Sequence, residues 1–153
     1  MTTRGIQFLV QHQIAHDVLV YDHQQKGAAF ASQATGFALA KTIKTLVVET
    51  GNHSYGFALM PGDQQISFKK LAKACKAKRA AMADAHTAER LTGYQVGGIS
   101  PFGARQSLPV VMDAGLADYD KVAINAGRRG ILVALSPQSI ITLLRPLIFP
   151  IGA

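Results

Sequence analysis

The chain has one cysteine, no tryptophan and only nine acidic residues among its 153. A single thiol, Cys75, excludes an internal disulfide and any cysteine-built zinc site. With seven Phe, four Tyr and no Trp, the sequence also lacks the material for a broad base-stacking platform. Charged residues are sparse at 16% while hydrophobic ones reach 48%, a balance that argues for a packed core and against disorder. No apolar run approaches the roughly 18 residues of a membrane span. The opening Met1-Thr2-Thr3-Arg4-Gly5 leads into a mixed pattern without the apolar stretch of a signal peptide. A cytoplasmic protein with no membrane partner is therefore expected. A chain of this size buries about 70% of its unfolded surface and needs no metal or disulfide staple, so one domain over residues 1–153 is expected.

What is present in excess is positive charge. Sixteen Lys and Arg give a formal net charge of +7. Such an excess draws anionic partners by long-range attraction, although a solvated surface explains it equally well. Its distribution is more telling. Lys69, Lys70, Lys73, Lys76, Lys78 and Arg79 fall within eleven residues, and no acidic residue lies between Asp63 and Asp84. Phe68, Leu71, Ala72 and Cys75 recur at i, i+3, i+4 and i+7, which predicts a helix capped by Ser67 with Cys75 on its buried face. Lys69, Lys73 and Lys76 then share the opposite face, where phosphates of a nucleic acid are the natural anion.

The remaining pattern predicts an α+β fold. Ile6, Leu9 and Val10 suggest a first helix ending near Gln13, and Val18 to Tyr21 a strand. Gln24 to Ala29 reads as a loop and Phe30 to Phe37 as a short helix broken at Gly36. Ile43 to Glu49 and Tyr55 to Met60 form a hairpin about Gly51-Asn52, closed by Pro61-Gly62-Asp63. A helix over His86 to Leu91 precedes a glycine-rich loop, Gly93 to Gly103. Strands at Leu108 to Asp113, Lys121 to Asn125 and Ile131 to Leu135 complete a sheet. Ser136-Pro137 opens a last helix through Leu144, and Pro146 to Ala153 is a short apolar tail. Strands and helices do not alternate strictly, which favours a mixed β-sheet core with flanking short helices over a doubly wound parallel sheet.

Familiar catalytic motifs fail on inspection. Thr35 to Thr42 ends like a P-loop in Lys41-Thr42, yet Thr35 and Ala40 occupy its two obligatory glycine positions. Gly98 to Phe102 has the serine of a nucleophile elbow, but Pro101 carries no N–H for an oxyanion. Of the histidines only His12 and His16 are four residues apart, and no carboxylate or cysteine supports them as metal ligands. Neither a metal nor a cofactor is expected. The loop Gly93-Tyr94-Gln95-Val96-Gly97-Gly98-Ile99-Ser100-Pro101-Phe102-Gly103 survives. Gly97-Gly98 permits positive φ and close backbone approach, so bare N–H groups could meet a carbonyl or phosphate oxygen; a tight structural connection is the plainer alternative.

Taken in order, Ile43-Lys44-Thr45-Leu46-Val47-Val48, Met82-Ala83-Asp84, the Gly-Tyr-x-x-Gly-Gly-Ile-Ser-Pro-x-Gly string from Gly93 and Arg129-Gly130-Ile131 resemble the YbaK family. These are freestanding aminoacyl-tRNA deacylases related to the editing domain inserted in bacterial prolyl-tRNA synthetases. The resemblance runs from about Ile6 to Leu144. It implies a mixed sheet with flanking helices and a pocket between them. It also implies catalytic roles for Lys44 and for Gly97, Gly98, Ile99 and Ser100, with Tyr21, Phe30 and Thr45 binding substrate. Some members carry an Asp after the Arg-Gly pair; Ile131, Leu132 and Val133 stand there instead, which bears on amino-acid specificity.

An aminoacyl ester is already activated, so its hydrolysis needs positioning and charge stabilisation more than a strong protein nucleophile. By the resemblance, Lys44 steadies charge near the ester or its phosphate, and the Gly97–Ser100 backbone meets the oxyanion. The basic helix with Lys69, Lys73 and Lys76 would meet tRNA. The expected function is editing in trans of a mischarged tRNA, Cys- or Ala-tRNA(Pro) foremost, acting alone or beside an aminoacyl-tRNA synthetase. The alternatives are a non-catalytic tRNA- or synthetase-binding module of the same shape, and a hydrolase of other small esters.

Overall fold

The structure, a computed structural model, describes residues 2–24 and 27–153. Met1 and the Gln25-Lys26 part of the expected Gln24–Ala29 loop lie outside the described residues. Helix α1 (Arg4–Gln11) is capped by Thr3, whose hydroxyl accepts from the Ile6 N–H. Strand β1 (Asp17–Val20) and helix α2 (Ala28–Thr35) follow, the latter ended by Gly36 in the left-handed region as the sequence suggests. A 3₁₀ turn at Leu39–Lys41 leads into β2 (Ile43–Thr50) and β3 (Tyr55–Pro61). These two form the expected hairpin, in register from Ile43↔Pro61 to Glu49↔Tyr55.

Helix α3 (Phe68–Ala74) takes Ser67 as its N-cap, as expected, and ends one residue before Cys75. Then come β4 (Ala80–Met82), α4 (Ala85–Thr92, capped by Asp84) and β5 (Val110–Asp113). A 3₁₀ turn at Ala114–Asp118 precedes β6 (Val122–Arg128) and β7 (Ile131–Leu135). Helix α5 (Pro137–Leu144) starts from Ser136 with proline in its first turn, and β8 (Leu147–Phe149) closes the chain.

The strands form two sheets, where the sequence suggested one. One has the order β1-β7-β6; the other is mixed, β4-β2-β3-β5-β8, with β5 parallel to both β3 and β8. Two of its strands go unread in the sequence. The three residues of β4 pair with Val48–Thr50, and β8 falls in the stretch expected to be a loose tail. That tail is anchored: Ile151 is buried, its N–H donates to Asp113 Oδ1 at 3.0 Å, and its carbonyl accepts from the Ser67 N–H at 2.7 Å.

The five-stranded sheet is covered on both faces, which explains the unbroken apolar run Phe57-Ala58-Leu59-Met60 in its centre. Phe57 and Leu59 join the main core, with Ile6, Leu9, Leu91, Phe102, Val133 and Ile140. Ala58 and Met60 join a second cluster with Val48, Leu71 and Ile151, against which Cys75 packs. Burial pushes the Cys75 thiol up, so it stays protonated and inert, in keeping with its expected packing role. A third, small cluster of Ala31, Ala123 and Leu132 seats α2 on the outer face of the three-stranded sheet.

Candidate active site

Thr42, just ahead of β2, bridges Ala123 of β6 and so joins the two sheets. Beyond that bridge the sheets diverge, and β4 covers β2 only from Val48 onward. The interval between is an unpaired strand edge. Val47 C=O turns away from β3 to accept from the Ala83 N–H at 3.0 Å. By the alternation of an antiparallel ladder, the N–H and C=O of Thr45, two residues back, face the same way. They look into a cavity of about 410 Å³.

Its walls come from five places. Thr42 to Val47 form the floor; Tyr21 with Gly27, Ala28 and Ala31 of α2 form one side; and Asn125 and Leu132 come from the three-stranded sheet. Met82 at the end of β4 and Ala83 after it, with Ala85 and Ala88 of α4, form another wall, and Val96, Gly97 and Ile99 come from the glycine loop. Alanines at five of these positions leave the space open, since a larger side chain at any of them would fill it. The polar groups are few and directed, the composition of a small-molecule pocket.

The glycine loop is held from two sides. Glu89 Oε2 on α4 accepts from the Val96 N–H at 2.8 Å, and Arg129 Nε donates to the Val96 carbonyl at 2.9 Å. Gly97 has φ +99°, and a Cβ there would lie 2.7 Å from Arg129 Nε. At Gly98 a Cβ would lie 2.7 Å from the Arg129 backbone nitrogen, so only glycine lets the loop close on the β6–β7 hairpin.

The site residues expected from sequence divide clearly. Tyr21, Lys44, Thr45, Gly97 and Ile99 all line the cavity. Phe30 stands behind Tyr21 with ring centroids 6.3 Å apart, outside the lining. Gly98 and Ser100 are buried away from it. The Gly98 N–H is already spent on the Gln95 carbonyl at 2.9 Å, and Ser100 Oγ accepts from the Phe102 N–H at 3.1 Å. These two residues shape the loop. Gly97 and Ile99 line the cavity, and their backbone N–H groups have no hydrogen-bond partner among the described residues.

Lys44 has the same parity along β2 as Leu46 and Val48, which pack on the second cluster. Its ammonium donates to the Gln64 carbonyl on the loop after β3, and no carboxylate pairs with it among the described residues. Lys44 thus lines the cavity while its ammonium rests on a neutral acceptor outside the lining. Lys41, the other Lys-Thr lysine, is directed elsewhere and sits 5.4 Å over the Tyr119 ring.

Burial raises the Tyr21 phenol, against a smaller lowering by a Gly130 backbone hydrogen bond, so it is a proton donor at neutral pH. Thr45 Oγ1 is buried with no partner among the described residues. An orphan hydroxyl of this kind costs about 1–3 kcal/mol, which a ligand group can recover. Sequence reading missed Asn125 and the alanines. A lone Asn inside a strand, and residues that act by being small, carry no local signal.

The basic face expected on α3 loses a member. The helix ends at Ala74, and Lys76 follows the cap in the left-handed region with φ 55°, off the helix face. Lys70 is committed to the Gly152 carbonyl at 2.7 Å. Lys69 and Lys73 are joined instead by Lys78 and Arg79 around a shallow depression.

This architecture and loop match known proteins. Residues 22–143 fit the model of the aminoacyl-tRNA editing domain. The chain belongs to the aminoacyl-tRNA editing domain family. It is 28% identical over 143 residues to a proposed Cys-tRNA(Pro)/Cys-tRNA(Cys) deacylase of Enterococcus faecalis, covering 92% of this chain and 87% of that one. It is 30% identical over 135 residues to the multifunctional Ser/Thr-tRNA deacylase of Escherichia coli K12, covering 85% and 81%. A proposed trans-editing enzyme for prolyl-tRNA synthetase superposes with a TM-score of 0.88 at 20% identity, over 100% of this chain and 99% of the other, and so shares the fold. The reaction class of the editing family is hydrolysis of the aminoacyl ester, and among the described residues the cavity of this editing domain has no serine or cysteine in its lining.

Proposed function

We propose that this editing domain acts as one 153-residue unit in the cytoplasm and hydrolyses mischarged aminoacyl-tRNA in trans, with Cys- or Ala-tRNA(Pro) as its foremost substrates. The observation that carries the reading is the cavity between the sheets, whose directed donors surround a space built from alanines. A small aminoacyl group enters it with the terminal ribose at the mouth. The N–H groups of Gly97 and Ile99 meet the carbonyl oxygen as it becomes an oxyanion, and Lys44 leaves the Gln64 carbonyl for the negative charge developing nearby. Tyr21, kept protonated by burial, donates to the substrate. The Thr45 hydroxyl and the open backbone edge of β2 hold its amino group. Water attacks the ester carbonyl, or, for cysteine, its own thiol does so and water then opens the cyclic thioester formed. In both cases the ester bond breaks, the ribose hydroxyl leaves with a proton, and free amino acid and tRNA are released.

The names of the two relatives, one acting on Cys and one on Ser and Thr esters, support a small polar side chain. Of Ile131, Leu132 and Val133, where some relatives have an Asp, Leu132 lines the cavity and keeps that wall apolar, while the other two join the main core. A pocket of this kind discriminates by only about 1–3 kcal/mol per added group, so neighbouring small amino acids are turned over as well. Release of labelled amino acid from Cys-, Ala-, Ser-, Thr- and Pro-tRNA(Pro) tests the reading, with a prolyl-tRNA synthetase added in a parallel series. Turnover of the small mischarged esters with Pro spared supports it. Tight tRNA binding with no release on any of the five makes the protein a binding module instead.

A further inference from the structure

A second cavity of about 410 Å³ adjoins the first and is lined by His23, Tyr94, Gln95, Arg128 and Arg129 with the glycines Gly93 and Gly127. The two are consecutive stations on the same three segments. Tyr21 lines the first and His23 the second; Asn125 lines the first and Gly127 the second; Val96 and Gly97 line the first and Gln95 the second. Residues two apart along a chain are at most about 7 Å apart, within the reach of one or two nucleotides. Arg129 forms the partition, packed on Gly97 and bonded to the Val96 carbonyl.

The chemistry of the second cavity differs from that of the first. No acidic side chain lines it, and neither Arg128 nor Arg129 is ion-paired among the described residues. Arg4 and Arg105 lie beside it, their side chains within 4 Å of where a Cβ on Gly93 would stand. Four arginines thus gather with no ion pair among the described residues, Arg4 and Arg105 donating to the Gly103 and Arg90 carbonyls, beside a first cavity that is mostly apolar. Planar forks of this kind fit phosphate oxygens in pairs.

We propose that this arginine-walled cavity binds a backbone phosphate of the single-stranded 3′ end of the tRNA, next to the terminal nucleotide whose ester occupies the first cavity. The inference rests on the editing reading and adds the path of the acceptor end. It separates two basic surfaces: Arg128 and its neighbours hold the single strand, while the depression at Lys69 and Lys73 faces any duplex.

Arg128 is exposed and makes no hydrogen bond to another side chain among the described residues, so Arg128→Gln leaves the fold intact; Arg129, which pins the loop, is left alone. The probes are uncharged tRNA(Pro) and the same tRNA lacking its last four nucleotides, with binding followed across salt concentration. For intact tRNA, Arg128→Gln lowers the slope of log K against log salt by about 0.7, the share of one single-stranded phosphate. For trimmed tRNA the slope is that of the unaltered protein. An equal fall with both probes, or none with the intact one, overturns the proposal. Loss of the slope difference while small mischarged esters are still hydrolysed sinks the cavity alone. A 3′-end-dependent slope without hydrolysis on any charged tRNA sinks the editing reading and keeps the cavity. No binding of intact tRNA by the unaltered protein sinks both.

Discussion

At the scale of single residues, the cavity is built around groups left without protein partners. Thr45 makes the point most sharply, because its buried hydroxyl lowers stability in the free protein. Thr45→Val keeps shape and removes the orphan, so thermal unfolding moves up or stays level while deacylation falls. A fall in both marks the hydroxyl as structural. Lys44→Ala lowers deacylation about 10²-fold or more, the cost of losing one preorganised donor, whereas Lys41→Ala, remote on Tyr119, is mild. Equal losses from the two variants would mean that general charge and not the Lys44 position matters. The Lys44-Thr45 pair and the Gly97-Gly98 loop were legible because their residue types are constrained: the glycines by the backbone of the β6–β7 hairpin, the lysine by the family string. Ser100 shows the limit of that reading, since the same string carries a residue whose hydroxyl closes the loop and never reaches the cavity.

At the scale of elements, legibility followed local chemistry. Ser67, Ser136-Pro137 and Gly36 mark helix ends by their own hydrogen bonds or conformation, and all three stand where the sequence places them. β4 and β8 could not be read this way. Ala80-Ala81-Met82 has little strand preference and is a strand because the edge of β2 pairs with it. Leu147–Phe149 is three residues long and is ordered by β5. The same dependence on context moved Lys76, whose left-handed backbone follows a helix end that the apolar spacing alone did not locate. Helix α4, which carries Ala85, Ala88 and Glu89 to the site, starts from Asp84, whose carboxyl is held below its usual value chiefly by the Thr87 backbone N–H. A carboxyl lowered by folding stabilises above its unfolded value and loses that contribution as pH falls through its folded value. Asp84→Ala therefore lowers the midpoint of thermal unfolding near neutrality, and the gap to the unaltered protein narrows on acidification. A gap that is constant from neutral pH into the acid range contradicts this assignment.

At the scale of the molecule, the cavity comes from two sheets that meet at one bridge and then part, where a continuous sheet would have left none. No helix is long and apolar enough to cross a membrane among the described residues. The net charge of +7 is spread over at least two basic surfaces, one at Lys69, Lys73, Lys78 and Arg79 and one at the arginine cavity. Replacing Lys69 and Lys73 together by Gln flattens the salt dependence of tRNA binding, by about 0.9 for each duplex phosphate released, while Lys76→Gln changes it less. A larger effect from Lys76 than from Lys73 would restore the original three-lysine face. The sequence could not show the parted sheets, since no local pattern encodes the gap between β2 and β6. The central claim is that the ester is cleaved inside that gap. The direct measurement is single-turnover release of cysteine from Cys-tRNA(Pro) by Ala28→Phe, which fills the cavity from its α2 side. Release that drops at least about 10²-fold, with tRNA binding and thermal unfolding retained, is the expected result; release at the unaltered rate from a filled cavity contradicts the account.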